Sequence, residues 1–303
     1  MTERKVELTS AAWITDPERL FWIAGSLNKE RSQSEQLAVE LYPVHYLGGI
    51  PLGPGRILAD KVKEWKQEHG EVQIERIHLP FHWSVSSATK RFLTSFFQQQ
   101  GTLKDRWTAM KVGVAIGTVQ NRYAMNLAGE LDSGFNAHVS IIEEAQKRGK
   151  IDELKANSRY IWVENDLDYP RKNPGDIQKA RDPVRAVSAV EGNGLDGVIL
   201  GIDHAYNFGI DPKEDFEKTG VSDMLKKNLR CLHLAGSTSF GEAGHGLIRE
   251  DDKDFWALVN VVKGRDFDHD IVFCLDLNPF EMKHLTQSEQ SDYIKRTIKK
   301  LEE

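Results

Sequence analysis

Two cysteines, Cys231 and Cys274, are all that 303 residues contain, which excludes a disulfide-stapled scaffold. Both lie in apolar, strand-like runs and read as buried thiols in a reducing compartment. No uninterrupted apolar run approaches the roughly 20 residues of a membrane span. Met1 to Glu7 carries charges where a secretory leader has an apolar core. The expectation is a cytoplasmic protein with no membrane partner. An excess of positive charge is missing too: 40 Lys and Arg stand against 46 Asp and Glu, a formal net charge of −6. That balance removes any general attraction to a phosphate backbone and argues against a nucleic-acid partner. The dinucleotide fingerprint GxGxxG and the P-loop pattern are both absent, as are internal repeats, low-complexity segments and linkers.

What the chain does have is alternation. Short runs rich in apolar and β-branched residues are followed by longer helix-like stretches. The runs are Lys5 to Trp13, Gln36 to His45, Ile74 to Trp83, Lys111 to Val119, Arg159 to Asp166, Asp196 to Ala205, Leu229 to Ser237 and Asp270 to Pro279. Asp16-Pro17 opens a helix, with Pro in its first turn. Leu58, Val62 and Trp65 share a face of the second helix, and Ser133 is read as opening another that carries Ile141, Ile142 and Ala145. Asp252 precedes an amphipathic stretch through Val262, and a last helix runs from Thr286 to Leu301. Gly48 to Gly55 reads as a turn-rich connection. Eight strand–helix units without a break predict an α/β fold, a single (β/α)8 TIM barrel domain over 1–303.

In such barrels, chemistry sits where strands end and βα loops begin. The fifth run ends in Glu164, the sixth in Asp203-His204, the seventh meets His233 and the eighth ends in Asp276. Four consecutive strands thus offer oxygen or imidazole donors to one point, about 4.8 Å apart from strand to strand. Carboxylates clustered at a barrel mouth are costly without a countercharge, and a divalent cation supplies one. His78 and His82 share one face of the third run. With Glu40, Trp83 and His245 they form a second group, expected to contact substrate. Trp13 is a further candidate for the wall of a sugar site, with core packing as its alternative.

These residues resemble the xylose-isomerase-like TIM barrel superfamily, which includes sugar isomerases and epimerases and endonuclease IV-type phosphodiesterases. The resemblance runs along most of the chain and is clearest from Tyr160 to Asp276. It implies one Mn, Mg or Co ion on Glu164, Asp203, His233 and Asp276, with Zn or Fe as other ions such a site takes. It also implies a carbohydrate-like small-molecule substrate. Glu164 and Asp276 would then move a proton beside a polarised carbonyl, with His204 binding a hydroxyl. Three departures stand out. Asp276 replaces the usual Glu, His204 adjoins Asp203 with Tyr206 in the later position, and the fourth run, Val112 to Gly117, ends without the His that a multimetal hydrolase requires. The run His233-Leu234-Ala235-Gly236, with Glu164-Asn165 and His245, also resembles the multinuclear-iron barrels of methanobactin synthesis, which modify peptides. A non-catalytic metal- or ligand-binding barrel is the remaining alternative, and oligomeric state, a homo-oligomer included, is left open. Neutralising Glu164 or Asp203 is expected to abolish metal binding while relieving repulsion in the metal-free protein.

Overall fold

The computed structural model describes residues 5–13, 16–43, 45–47, 50–52, 56–70, 72–79, 121–165, 183–202, 213–218, 220–236, 246–277 and 279–303. Eight parallel strands close a barrel: β1 Val6–Thr9, β2 Ala38–Leu41, β3 Gln73–His78, β4 Gly134–His138, β5 Ile161–Glu164, β6 Gly197–Gly201, β7 Leu229–Leu234 and β8 Val272–Leu275. Each pairs with its neighbour in sequence, and β1 pairs with β8 to close the ring, Val6 opposite Phe273 and Leu8 opposite Leu275. The (β/α)8 fold expected from the alternation is therefore the fold observed.

One strand was misplaced. The fourth barrel strand is Gly134–His138, in register with β3 through His78 and Asn136 and with β5 through His138 and Glu164. The Lys111 to Val119 run lies outside the described residues. Ser133 does not begin a helix; it precedes β4, its hydroxyl donating to Ile74 O at 2.9 Å, and the helix that buries Ile141, Ile142 and Ala145 begins at Val139. The stretch read as a turn-rich connection carries antiparallel pairing, His45–Leu47 with Ile50–Leu52. Other helix signals hold. Helices start at Pro17 and at Lys253, the latter capped by Asp252 accepting from Phe255 N at 3.1 Å. The last, Gln287–Glu302, opens on a Thr286–Glu289 capping box.

The period of two along each strand sorts residues to two faces. One set, including Leu8, Val39, Ile77, Phe135, Val163, Leu200, Leu232 and Phe273, joins the helices in the main apolar core. Trp13 belongs there as well, its indole donating to Gln290 Oε1 at 2.9 Å. The other set points into the lumen, where Trp162, Ile199, Cys231, Val272 and Cys274 make a separate small apolar cluster. Both cysteines are buried and free. Among the described residues, no helix is long and apolar enough to cross a membrane.

Candidate metal centre

Lumen parity also selects the polar residues. It brings Glu7 and Thr9 from β1, Glu40 from β2, Arg76 and His78 from β3, Asn136 and His138 from β4, Glu164 from β5 and His233 from β7 to the interior, with Asp276 just past β8. All ten are buried. Buried groups of this polarity persist only when paired or when they hold an ion.

His233 is the hub. Its Nδ1 lies 3.1 Å from Glu164 Oε1 and 3.7 Å from Asp276 Oδ2, and its Nε2 lies 3.2 Å from Glu40 Oε2. Burial disfavours the imidazolium, yet Glu164 and Glu40 overcome it and hold His233 well above its ordinary range. In return, against the same burial, His233 draws Glu40 down to about 2 and, with His138, holds Glu164 well below the carboxylate range. Asp276 is fixed from its other side by Thr9, whose hydroxyl donates to Oδ1 at 2.7 Å.

Glu164 faces two donor groups with different oxygens. Oε1 meets His233, while Oε2 lies 3.4 Å from His78 Nε2 and accepts from Asn136 Nδ2 at 2.7 Å. His78 and His138 bring their rings to 5.1 Å, and donor atoms of His78, His138 and Glu164 all fall within 4.8 Å of one another. Tyr42 stacks on His78 at 4.2 Å between centroids. The neighbouring Leu79 carbonyl lies 3.1 Å from His78 Nδ1. A carbonyl only accepts, so Nδ1 carries hydrogen and Nε2 is the nitrogen turned to the carboxylate. Nε2 facing a carboxylate needs a second proton or a cation between them. These donors fit a divalent ion: imidazole and carboxylate ligands, with one histidine's other nitrogen anchored on a carbonyl.

Beneath this layer, Arg76 joins two carboxylates. Its Nε donates to Glu40 Oε2 at 2.9 Å, its Nη2 pairs with Glu7, and its guanidinium lies 4.4 Å above the centre of the Trp162 ring. Arg76 Nη2 also lies 3.8 Å from Cys231 Sγ. Cys231 and Cys274 with His233 form another compact group of possible ligand atoms.

Of the residues the sequence singled out, Glu164, His233 and Asp276 converge, and His78 joins them. Glu40 is present, but both its oxygens are taken by protein groups: Oε1 by Asn136 at 2.8 Å, Oε2 by Arg76 and His233. Asp203, His204, His82, Trp83 and His245 lie outside the described residues. Gly236 N donates to Gly246 O at 2.7 Å, which holds these two residues together at the end of β7. A Cβ on Gly236 would sit 2.3 Å from Leu247 O, and glycine is required there. Sequence reasoning missed His138, Asn136, Arg76 and Thr9. The absence of histidine at the end of the fourth strand is overturned: that strand ends in His138. The signal was the alternation Phe135-Asn136-Ala137-His138, apolar outward and polar inward.

No protein-family model matches the chain, and no curated protein matches it. Solved structures do, over nearly the whole length of both partners. A xylose isomerase domain-containing protein from Salmonella typhimurium is 12% identical, covering 98% of this chain and 97% of its own, at a TM-score of 0.60. IolI, solved with a bound zinc atom, is 15% identical over 98% and 97%, at 0.52. A D-allulose 3-epimerase from Methylomonas sp. is 11% identical over 99% of each chain, at 0.50. At these identities the likeness shows the (β/α)8 fold alone.

Proposed function

We propose, on the premise of a xylose-isomerase-like barrel, that this chain is a divalent-metal-dependent enzyme with two adjoining ion positions that share Glu164. The observation that carries this reading is the division of that carboxylate: Oε1 lies 3.1 Å from His233 Nδ1, which also faces Asp276, while Oε2 lies 3.4 Å from His78 Nε2, and a His138 nitrogen falls within 4.8 Å of donor atoms of His78 and Glu164. Glu164, His233 and Asp276, with Asp203 assigned from the sequence, would hold one ion; His78, His138 and Glu164 would hold the other. Bound there, divalent ions supply the positive charge that polarises a substrate oxygen and acidifies water. The chain's own residues do the positioning. Thr9 orients Asp276, Asn136 orients Glu164, and the Leu79 carbonyl sets the tautomer of His78.

A paired site of this kind suits hydrolysis of a phosphate ester. The net charge of −6 points to a small substrate in preference to a nucleic acid. The second reading is a sugar or polyol isomerase or epimerase, favoured by the convergence of Glu164 and Asp276 on one nitrogen of His233, which sets two carboxylates side by side for proton transfer. Under it, His82, Trp83, His204 and His245 would bind a carbohydrate-like substrate. Elemental analysis of protein purified without added metal is the first test, with about two ions per chain expected for a paired site. The metal-loaded protein is then given bis(p-nitrophenyl) phosphate and, separately, a panel of keto- and aldo-sugars in deuterium oxide. Release of nitrophenol supports the hydrolase. Deuterium entering a sugar carbon with one ion per chain overturns it in favour of the isomerase, and two or more iron atoms with neither activity point to peptide modification.

A further inference from the structure

Glu40 and Arg76 are fully buried in the lumen, and among the described residues Glu40 belongs to none of the compact clusters of possible ligand atoms. Four strands meet in the chain of contacts they make. Glu7 on β1 pairs with Arg76 on β3, Arg76 Nε donates to Glu40 Oε2 on β2 at 2.9 Å, and that oxygen faces His233 Nε2 on β7 at 3.2 Å. The other Glu40 oxygen accepts from Asn136 Nδ2 at 2.8 Å, so the carboxylate is held at both ends. Trp162 covers the guanidinium from one side.

We infer that Glu40 and Arg76 are a positioning pair for His233: the clamped carboxylate keeps hydrogen on Nε2 and thereby turns Nδ1, as the ligand nitrogen, toward Glu164 and Asp276. The inference rests on the metal-centre reading and says which nitrogen of His233 binds and what enforces the choice. An ionised carboxylate accepts and cannot donate, so an imidazole facing it must present N–H. A neutral imidazole has one N–H, which leaves Nδ1 as the lone pair. Arg76 completes the device. It neutralises Glu40 and occupies the oxygen that faces His233, so Glu40 serves as an acceptor beside the ion instead of joining its ligands. Carboxylates hydrogen-bonded to a ligating histidine fix ring orientation and raise its basicity, and their loss usually costs about 10–100-fold in metal affinity.

The test uses histidine-15N-labelled full-length protein titrated with zinc. In wild type, the His233 resonances, assigned by comparison with His233→Gln, are expected to show zinc on Nδ1 and a slowly exchanging proton on Nε2. Glu40→Gln is expected to weaken zinc binding about 10–100-fold and to speed exchange of the Nε2 proton. Arg76→Lys, which keeps the charge but not the fork, is expected to weaken binding in the same direction. Zinc on Nε2 in wild type overturns the inference, and this readout needs no variant to fold. Unchanged affinity in a folded Glu40→Gln protein overturns it as well; unchanged affinity in Arg76→Lys removes Arg76 from the device. Wild type that takes up no zinc is a different result: it sinks the metal-centre reading itself, and the inference with it, before any variant is compared.

Discussion

His78 Nε2 and Glu164 Oε2 stand 3.4 Å apart, with the other nitrogen of His78 anchored on the Leu79 carbonyl. An imidazole held in this way cannot turn its N–H to the carboxylate without giving up the carbonyl. The gap is therefore a place for positive charge, and His138 borders it. Removing one side of the gap should remove one ion. His138→Ala is expected to halve the metal content while the Glu164, His233 and Asp276 set keeps its ion. Plasma emission analysis of dialysed protein checks the count; an unchanged stoichiometry would place both ions elsewhere.

Neutralising Glu164 should affect the protein twice. The sequence suggested that loss of its charge would relieve repulsion in metal-free protein, but the geometry corrects this, because His233 stands between the carboxylates and binds them. Glu164→Gln removes one partner of a buried pair, which costs about 3–5 kcal/mol. It also removes the donor common to both ion positions. Thermal unfolding with and without zinc is expected to show a lower starting Tm and no metal-induced rise. A variant that starts lower yet keeps the full rise would make Glu164 structural only.

Metal-free stability should depend on pH in a definite way. Glu40 and Glu164 are held below their ordinary 4.5 by His233, so their contribution is full above that value and is lost as pH falls through the folded values, about 2 for Glu40. His233 is held above its ordinary 6.5 by Glu164 and Glu40, so its contribution is full below 6.5 and fades as pH rises toward the raised folded value. Both are complete between 4.5 and 6.5. The Tm of chelator-treated protein is expected to peak in that window. Zinc should move the optimum upward, since coordination releases a proton from the site. A peak well above neutral pH without metal would contradict the pairing.

Arg76→Met should be among the most damaging single changes in the chain. It strands Glu7 in the lumen without a countercharge and leaves Glu40 to His233 alone, a loss of about 3–5 kcal/mol. Burial already pushes the Glu7 carboxyl up despite Arg76 beside it. Urea unfolding measures the loss; a difference within experimental error would show that the lumen admits enough water to screen the pair.

Gly134 makes a steric prediction at the opposite end of β4. A Cβ there would lie 2.3 Å from the Tyr160 ring, whose hydroxyl is held by Glu75 Oε1 at 2.6 Å. Gly134→Ala must displace that ring, at about 1–3 kcal/mol for overpacking. Restoration of stability by adding Tyr160→Phe would locate the strain in the hydroxyl anchor; restoration only by Tyr160→Ala would locate it in the ring.

The architecture was legible because most strands present an unbroken apolar outer face and stop at a polar residue. Val163 to Glu164 and Leu275 to Asp276 mark their own ends. β4 was not legible. Its inward positions are Gly134, Asn136 and His138, so three of its five residues carry no apolar signal, whereas Val112 to Gly117 is apolar throughout and drew the assignment. Arg76 was invisible for a related reason. A charged residue inside a strand reads as a solvent-facing position, and its partners, Glu7 and Glu40, lie 69 and 36 residues away in sequence. Pairing across a closed ring is a property of the ring, and the linear pattern does not contain it.

The 2.7 Å bond from Thr9 to Asp276 crosses the seam between the first strand and the last, 267 residues apart. The proposed metal centre is thus assembled from both ends of the described barrel and is complete only when the ring is shut. Ion binding then becomes a latch on the whole circumference. Its free energy adds to the stability of the closed state, since a barrel parted at the seam loses Asp276's anchor at the moment it opens. Hydrogen exchange at β1 and β8 should slow on adding zinc as much as exchange at β5 and β7, although the latter pair carries more of the donors.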